Sequence, residues 1–253
     1  MTILAARGLT KQFGGVHAVD GVSVEVAPGT VHAIIGPNGA GKTTLLNLLT
    51  GVYRPSAGEV SFDGQEVTGL LPHALAARGM ARTFQNLQVF FNMSALENVM
   101  VGRYLHERCG WAAAALRLPR IAREERAARE EAAELMRFVG LGDYVSRRPE
   151  AMPYGALKRL EVARALAGRP RLVLLDEPAA GLNPTEALAL DDLIRRILGR
   201  GITVVLVEHN MRLVMAVSDR ILVLDYGKPL ADGTPAEIRN DARVIAAYLG
   251  VEA

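Results

Sequence analysis

Apolar and polar positions change their period several times along the chain, and each change predicts an element. The first 30 residues alternate, "TILAARGLTKQF" and then "VSVEVAPG", which reads as short strands closed by a Pro-Gly turn. "VHAIIG" follows as an almost unbroken apolar run, a strand buried on both faces. A glycine-rich turn then leads into "KTTLLNLLTGV", whose leucines recur at helical spacing. "GEVSFDGQEV" predicts a hairpin turning at Asp63-Gly64. "RLVLLDEP" and "GITVVLVEHN" return as buried strands, separated by the helical "TEALALDDLIRRILGR", and such alternation argues for a parallel sheet. The tail "DRILVLDYGKPLADGTPAEI" reads as a hairpin around Tyr226-Gly227 with a short helix after it.

From residue 88 to 165 the pattern is helical. "RIAREERAAREEAAELMRFVG" places Glu125 with Arg129 and Arg126 with Glu130 one turn apart, as on a solvated helix face. "AMPYGALKRLEVARAL" starts as a turn punctuated by Pro153 and Gly155. It continues as an amphipathic helix with Leu157, Leu160, Ala163, Leu166 and Ala167 on one side. No segment repeats. The chain therefore reads as one α/β domain over 1–253, with a core of 1–87 and 166–253 and a helical insertion at 88–165.

Composition narrows the class. Half of the 253 residues are apolar, ample for a buried core. A formal charge of +2 makes no demand for a nucleic-acid partner, although the basic side is 25 Arg against 4 Lys. One cysteine, Cys109, excludes an internal disulfide and a cysteine zinc cluster, and fits a reducing compartment. No apolar run approaches the roughly 18 residues of a membrane span, and "MTILAARGLTKQF" lacks a signal-peptide pattern. The expectation is a soluble intracellular protein able to dock on a membrane protein. His32, inside an apolar strand, reads as a core histidine.

"GPNGAGKTT" carries the chemistry. Gly36, Gly41, Lys42 and Thr43 fit G-x-x-x-x-G-K-[ST] between a strand and a helix. Glycines let successive backbone N–H groups curl around phosphate oxygens, Lys42 neutralises the terminal phosphates, and Thr43 offers a hydroxyl to Mg²⁺. "RLVLLDEP" ends its strand in Asp176 and Glu177, at the carboxyl edge where such sheets bind ligands. Asp176 suits the Mg²⁺ shell and Glu177 suits polarising an attacking water.

With these two halves the chain resembles the ATP-binding cassette (ABC) ATPases over essentially its whole length. The resemblance implies a P-loop NTPase fold, α/β, with an N-terminal antiparallel β region and an inserted helical subdomain. It implies an ATP site built from Gly36, Pro37, Asn38, Gly39, Ala40, Gly41, Lys42, Thr43 and Thr44. Phe13, 23 residues before Gly36, stands where the family stacks an aromatic ring on adenine. Gln85 matches the Q-loop glutamine that contacts the metal, His209 the switch histidine, and Gly181, Leu182 and Asn183 the D-loop that crosses a dimer interface. Pro153, Tyr154, Gly155 and Ala156 stand where the family has its signature, which faces the γ-phosphate held by a second cassette. Pro153 has no hydroxyl or N–H to donate, which leaves the N–H groups of Tyr154, Gly155 and Ala156 and the helix dipole to act on that phosphate.

A finer resemblance is to the branched-chain amino acid uptake ATPases, carried by "LTKQFGGVHAVDGVS", "ARTFQNLQVFFNMSALENVMVGR", "DEPAAGLNPTE", "VEHNMRLVMAVSDRILVLDYGK" and "VIAAYLG". The long insert and "YLG" favour the longer ATPase of such a pair. This implies two membrane permeases and a second ATPase as partners, a periplasmic binding protein acting indirectly, no nucleic acid, and a place at the cytoplasmic face of the inner membrane. Two other readings stay open: a nucleotide-binding clamp whose partner performs most hydrolysis, and an export-type or non-transport ABC ATPase.

Overall fold

The computed structural model describes residues 1–104 and 119–249. Cys109 and the final "GVEA" lie outside the described residues. Among the described residues the chain forms two compact units, one made of Met1–Arg82 with the segment from Arg171 onward, the other of Thr83–Pro170.

The first unit holds two sheets. Strands β1 (Leu4–Phe13) and β2 (Val16–Val26) form a long antiparallel hairpin, from Leu4↔Val26 to Phe13↔Val16. Both are longer than the alternation predicted. Register shifts beyond Ala6 and Leu9 break the two-residue period, so the pattern reads as separate short pieces. β4 (Ala57–Phe62) pairs with β1, and β5 (Gln65–Glu66) closes the predicted hairpin. Its turn residues Asp63 and Gly64 both have positive φ, 52° and 74°, as a two-residue hairpin turn requires.

The second sheet has the order β10-β9-β3-β8-β7-β6, with β3 (Val31–Ile35), β6 (Met80–Arg82), β7 (Leu172–Asp176), β8 (Thr203–Val207), β9 (Arg220–Asp225) and β10 (Lys228–Gly233). All neighbours are parallel except β9 and β10, the hairpin expected around Tyr226-Gly227. β3, β7 and β8 are buried at every position, as their apolar runs predict. Side chains alternate across β3. Ile34 joins the core around helix Lys42–Leu49 and the antiparallel sheet, while Ala33 and Ile35 face Val214, Ile238 and Val244. His32 is 1% exposed in the same strand, the core position expected of it. β6 went unpredicted because three residues carry no readable period.

The second unit contains helices Ala95–Val101, Pro119–Phe138 and Tyr154–Ala167. It spans Thr83–Pro170, against 88–165 from the pattern. Glu125 and Arg129 pair at 2.9 Å on an exposed face. Glu131 instead turns to Arg103 and Arg169. Helix Tyr154–Ala167 corrects an expectation: it is buried nearly all round rather than amphipathic. Its polar positions include Lys158 and Glu161, 6% and 3% exposed, whose heads bond to a neighbouring backbone. Gly102 permits the close approach of helix Ala95–Val101, since a Cβ there would lie 2.0 Å from the Arg164 carbonyl oxygen. Among the described residues no helix is long and apolar enough to cross a membrane.

Candidate functional site

The parallel register brings several chain exits to one edge. Ile34 and Asp176 both stand opposite Val207, so the segments after β3, β7 and β8 leave the sheet side by side. The segment after β3 is the glycine-rich loop 36–41, capped onto helix Lys42–Leu49 at Gly41 with no side-chain cap. That leaves the first-turn N–H groups open toward the loop. Side chains are excluded on both flanks. A Cβ on Gly36 would lie 2.2 Å from the Leu224 carbonyl oxygen, and one on Gly41 would lie 2.4 Å from that of Ala18. Behind the loop, the Gly227 N–H donates to the Ala40 carbonyl at 3.1 Å, and the Asp20 N–H donates to that of Gly227 at 2.8 Å.

Lys42 is 7% exposed, and its ammonium donates to the Gly36 and Pro37 carbonyl oxygens at 2.7 and 2.9 Å. Burial pushes its titration down, while the carboxylates of Glu177 and Asp176 oppose that. A desolvated ammonium beside a curled, glycine-rich backbone fits a polyphosphate. Pro37 is partly buried and Asn38, Gly39 and Thr43 are exposed at the lip, with Thr44 just inside. Thr43 and Asp176 offer hard oxygen ligands. Among the described residues no three His, Cys, Asp or Glu groups cluster as a metal cage. The donor set therefore fits Mg²⁺ held jointly with phosphate oxygens and water.

Asp176 is 3% exposed and accepts from Arg82 Nη2 at 2.9 Å. The other Arg82 nitrogen reaches Asn47 Oδ1 at 2.6 Å and Thr50 Oγ1 at 3.0 Å, joining β6 to the loop's helix. Glu177 follows with φ of +46°, a left-handed backbone unusual for a residue bearing a Cβ, and its N–H donates to the Val207 carbonyl at 2.9 Å. His209 Nδ1 lies 3.9 Å from Glu177 Oε2. The first unit thus brings Lys42, Asp176, Glu177 and His209 to one sheet edge. Phe13 sits at the end of β1 and packs edge-to-face on Tyr53 with centroids 5.4 Å apart, with Lys11 Nζ 5.1 Å from its own centroid. The D-loop segment turns tightly, the Leu182 N–H reaching the Ala179 carbonyl at 3.1 Å. Asn183 is committed to its own helix, where its side chain accepts from the Glu186 N–H at 3.0 Å.

Gln85 and the signature segment belong to the second unit. Lys158 Nζ donates to the Gln85 carbonyl at 2.7 Å, and Glu161 accepts the Gln88 N–H at 2.6 Å. Burial pushes the Glu161 carboxyl up, against the Gln88 hydrogen bond and the nearby Arg164 and Lys158 cations. Pro153 is the N-cap of its helix. One expectation changes here. The Ala156 N–H already donates to the Pro153 carbonyl at 2.9 Å, so of the three amides only Tyr154 and Gly155 precede the first helical bond.

Sequence reasoning missed Arg82, Lys158, Glu161 and Glu208. Each is a charge next to a motif, and a charge reads as solvated until its partners are known. Tyr248 was missed too: burial pushes its phenol up, and a hydrogen bond from the Gly36 backbone opposes that.

This fold and site define a P-loop nucleotide-binding cassette. The comparisons with known proteins agree. The family model described as ABC transporter matches residues 19–180, and that described as branched-chain amino acid ATP-binding cassette transporter matches 228–253. The chain is 47% identical over 249 residues to the high-affinity branched-chain amino acid transport ATP-binding protein BraF of Pseudomonas aeruginosa, covering 98% of each chain. It is 42% identical to LivG of Escherichia coli K12, of the same description and coverage. A solved ATP-binding cassette of an ABC transporter in its ADP conformation superposes with a TM-score of 0.86 at 32% identity, over 99% of both chains. The chain belongs to the ABC transporter family of ATP-binding proteins, in its branched-chain amino acid transport branch.

Proposed function

We propose that this chain binds and hydrolyses Mg-ATP as one of two cassettes that power uptake of branched-chain amino acids or related small solutes. It works beneath two membrane permeases at the cytoplasmic face of the membrane, served indirectly by a periplasmic binding protein. The observation that carries this is the meeting of the glycine-rich loop, with no room for a Cβ at Gly36 or Gly41, with Glu177 and His209, 3.9 Å apart, at one sheet edge.

In this reading loop 36–44 cradles the phosphates through its N–H groups, and Lys42 exchanges its carbonyl bonds for β- and γ-phosphate oxygens. Thr43 and Asp176 would hold Mg²⁺, which supplies charge neutralisation on the phosphates when bound. Glu177 accepts a proton from the attacking water, and His209 stabilises charge on the terminal phosphate. Phe13 stacks on the base. Tyr154 and Gly155, at a helix N-terminus, face the nucleotide of the second cassette, and Gly181, Leu182 and Asn183 run along that interface. Glu177→Gln keeps the shape but removes the base. Its steady-state turnover is expected to fall by about 100-fold or more with Mg-ATP affinity kept. Wild-type turnover in that variant would remove Glu177 from the role.

A further inference from the structure

Glu208 is the most buried charged side chain among the described residues of the first unit. It is 0% exposed, at the end of β8, and sits next to the switch histidine in the chain. A carboxylate taken out of water is costly unless donors replace the lost hydration. Here three backbone amides do so. Oε1 accepts the Ala179 N–H at 2.7 Å, and Oε2 accepts the N–H groups of His209 and Asn210, each at 3.0 Å. Charge-assisted bonds of this kind are about twice as strong as neutral ones.

The two oxygens serve different segments. Ala179 opens the turn that leads through Gly181 and Leu182 to the helix at Pro184, and it stands two residues after Glu177. His209 and Asn210 form the switch loop, whose histidine faces Glu177. A few bonds thus fix the separation of both loops. The Glu177 N–H is tied to Val207, Ala179 to one Glu208 oxygen, and His209 to the other.

We infer that Glu208 is a positioning residue that ties the D-loop to the switch histidine, so that displacement of one loop is felt by the other. The inference rests on the proposed hydrolytic reading, and it assigns no contact between Glu208 and nucleotide. A glutamine cannot replace the carboxylate, because one arm would present an NH₂ group to backbone donors. The isolated effect of such a change is a shift in where His209 sits, with the phosphate loop untouched.

The test is a double-mutant cycle in the full chain with Glu208→Gln, His209→Ala and both together, reading kcat and Mg-ATP affinity. Glu208→Gln is expected to lower kcat by roughly tenfold or more, with affinity held within about twofold. In the His209→Ala background the same change is expected to cost less than about twofold, because Glu208 acts through the histidine. Equal losses in both backgrounds, or a loss of ATP binding, would overturn the inference. Amide hydrogen exchange supplies a second readout that needs no turnover. Glu208→Gln is expected to speed exchange at Ala179, His209 and Asn210 and to spare the amides of β8. Unchanged protection at Ala179 overturns the tie even if the protein is inactive. An inert wild type with the exchange result intact overturns the hydrolytic reading alone.

Discussion

His32 shows what the site's scaffold asks of a single side chain. Its Nε2 has no hydrogen-bond partner among the described residues. Burial holds its titration below the ordinary value, Arg220 reinforcing and Asp232 opposing. The unfolded chain takes up a proton near pH 6.5 where the fold does not. Stability is therefore complete above about pH 6.5, declines as pH falls from there toward the folded value, and levels off below it. Thermal unfolding of His32→Leu is expected to lose that slope below about pH 6.5, and an unchanged slope would place its cause elsewhere. The same scale separates what the sequence made readable from what it hid. Lys42, Asp176 and Glu177 were legible because fixed spacing and a flanking strand mark them. The left-handed backbone of Glu177 was not, since nothing in the local sequence marks it and its N–H meets the Val207 carbonyl only once β8 lies alongside.

Elements were legible in proportion to their length and period. β3, β7 and β8 announced themselves as apolar runs, and the turns Asp63-Gly64 and Tyr226-Gly227 by their glycines. The signature helix misled because Lys158 and Glu161 look like a solvated face, yet they hold the backbone at Gln85 and Gln88. Helix Ala95–Val101 begins with a capping box that the pattern contained, Ser94 accepting from the Glu97 N–H at 3.2 Å and the Glu97 carboxylate accepting from the Ser94 N–H at 2.8 Å. Those bonds from Ser94 hold the Glu97 carboxyl below its usual range. Ser94→Ala is expected to cost about 1 kcal/mol. Urea denaturation monitored within residues 83–170 reads this as a lower midpoint at an unchanged slope.

At the scale of the whole molecule, ligand and fold are linked. A nucleotide that grips only the folded loop stabilises it by about 2.7 kcal/mol at roughly a hundred times its Kd. Mg-ATP is therefore expected to raise the thermal midpoint of the full chain, and Lys42→Ala to abolish the rise. An equal rise in that variant would mean that the nucleotide binds elsewhere. The division at Arg82 and Arg171 was visible as a change of character in the pattern, but its limits were not. The edge strand β6 and the bonds of Arg82 that mark the first limit exist only once distant segments meet.

The strand carrying the phosphate loop lies between β8 and β9, and the turn at Gly227 braces Ala40 from behind. Translation delivers β3 by residue 35, whereas its flanking strands begin at Thr203 and Arg220. A nascent polypeptide on the ribosome can close the β1–β2 hairpin at once, but it carries its phosphate-gripping segment without those two flanking strands until residue 225 has emerged. Nucleotide can therefore steady that segment only after residues 203–225 have emerged and paired along β3.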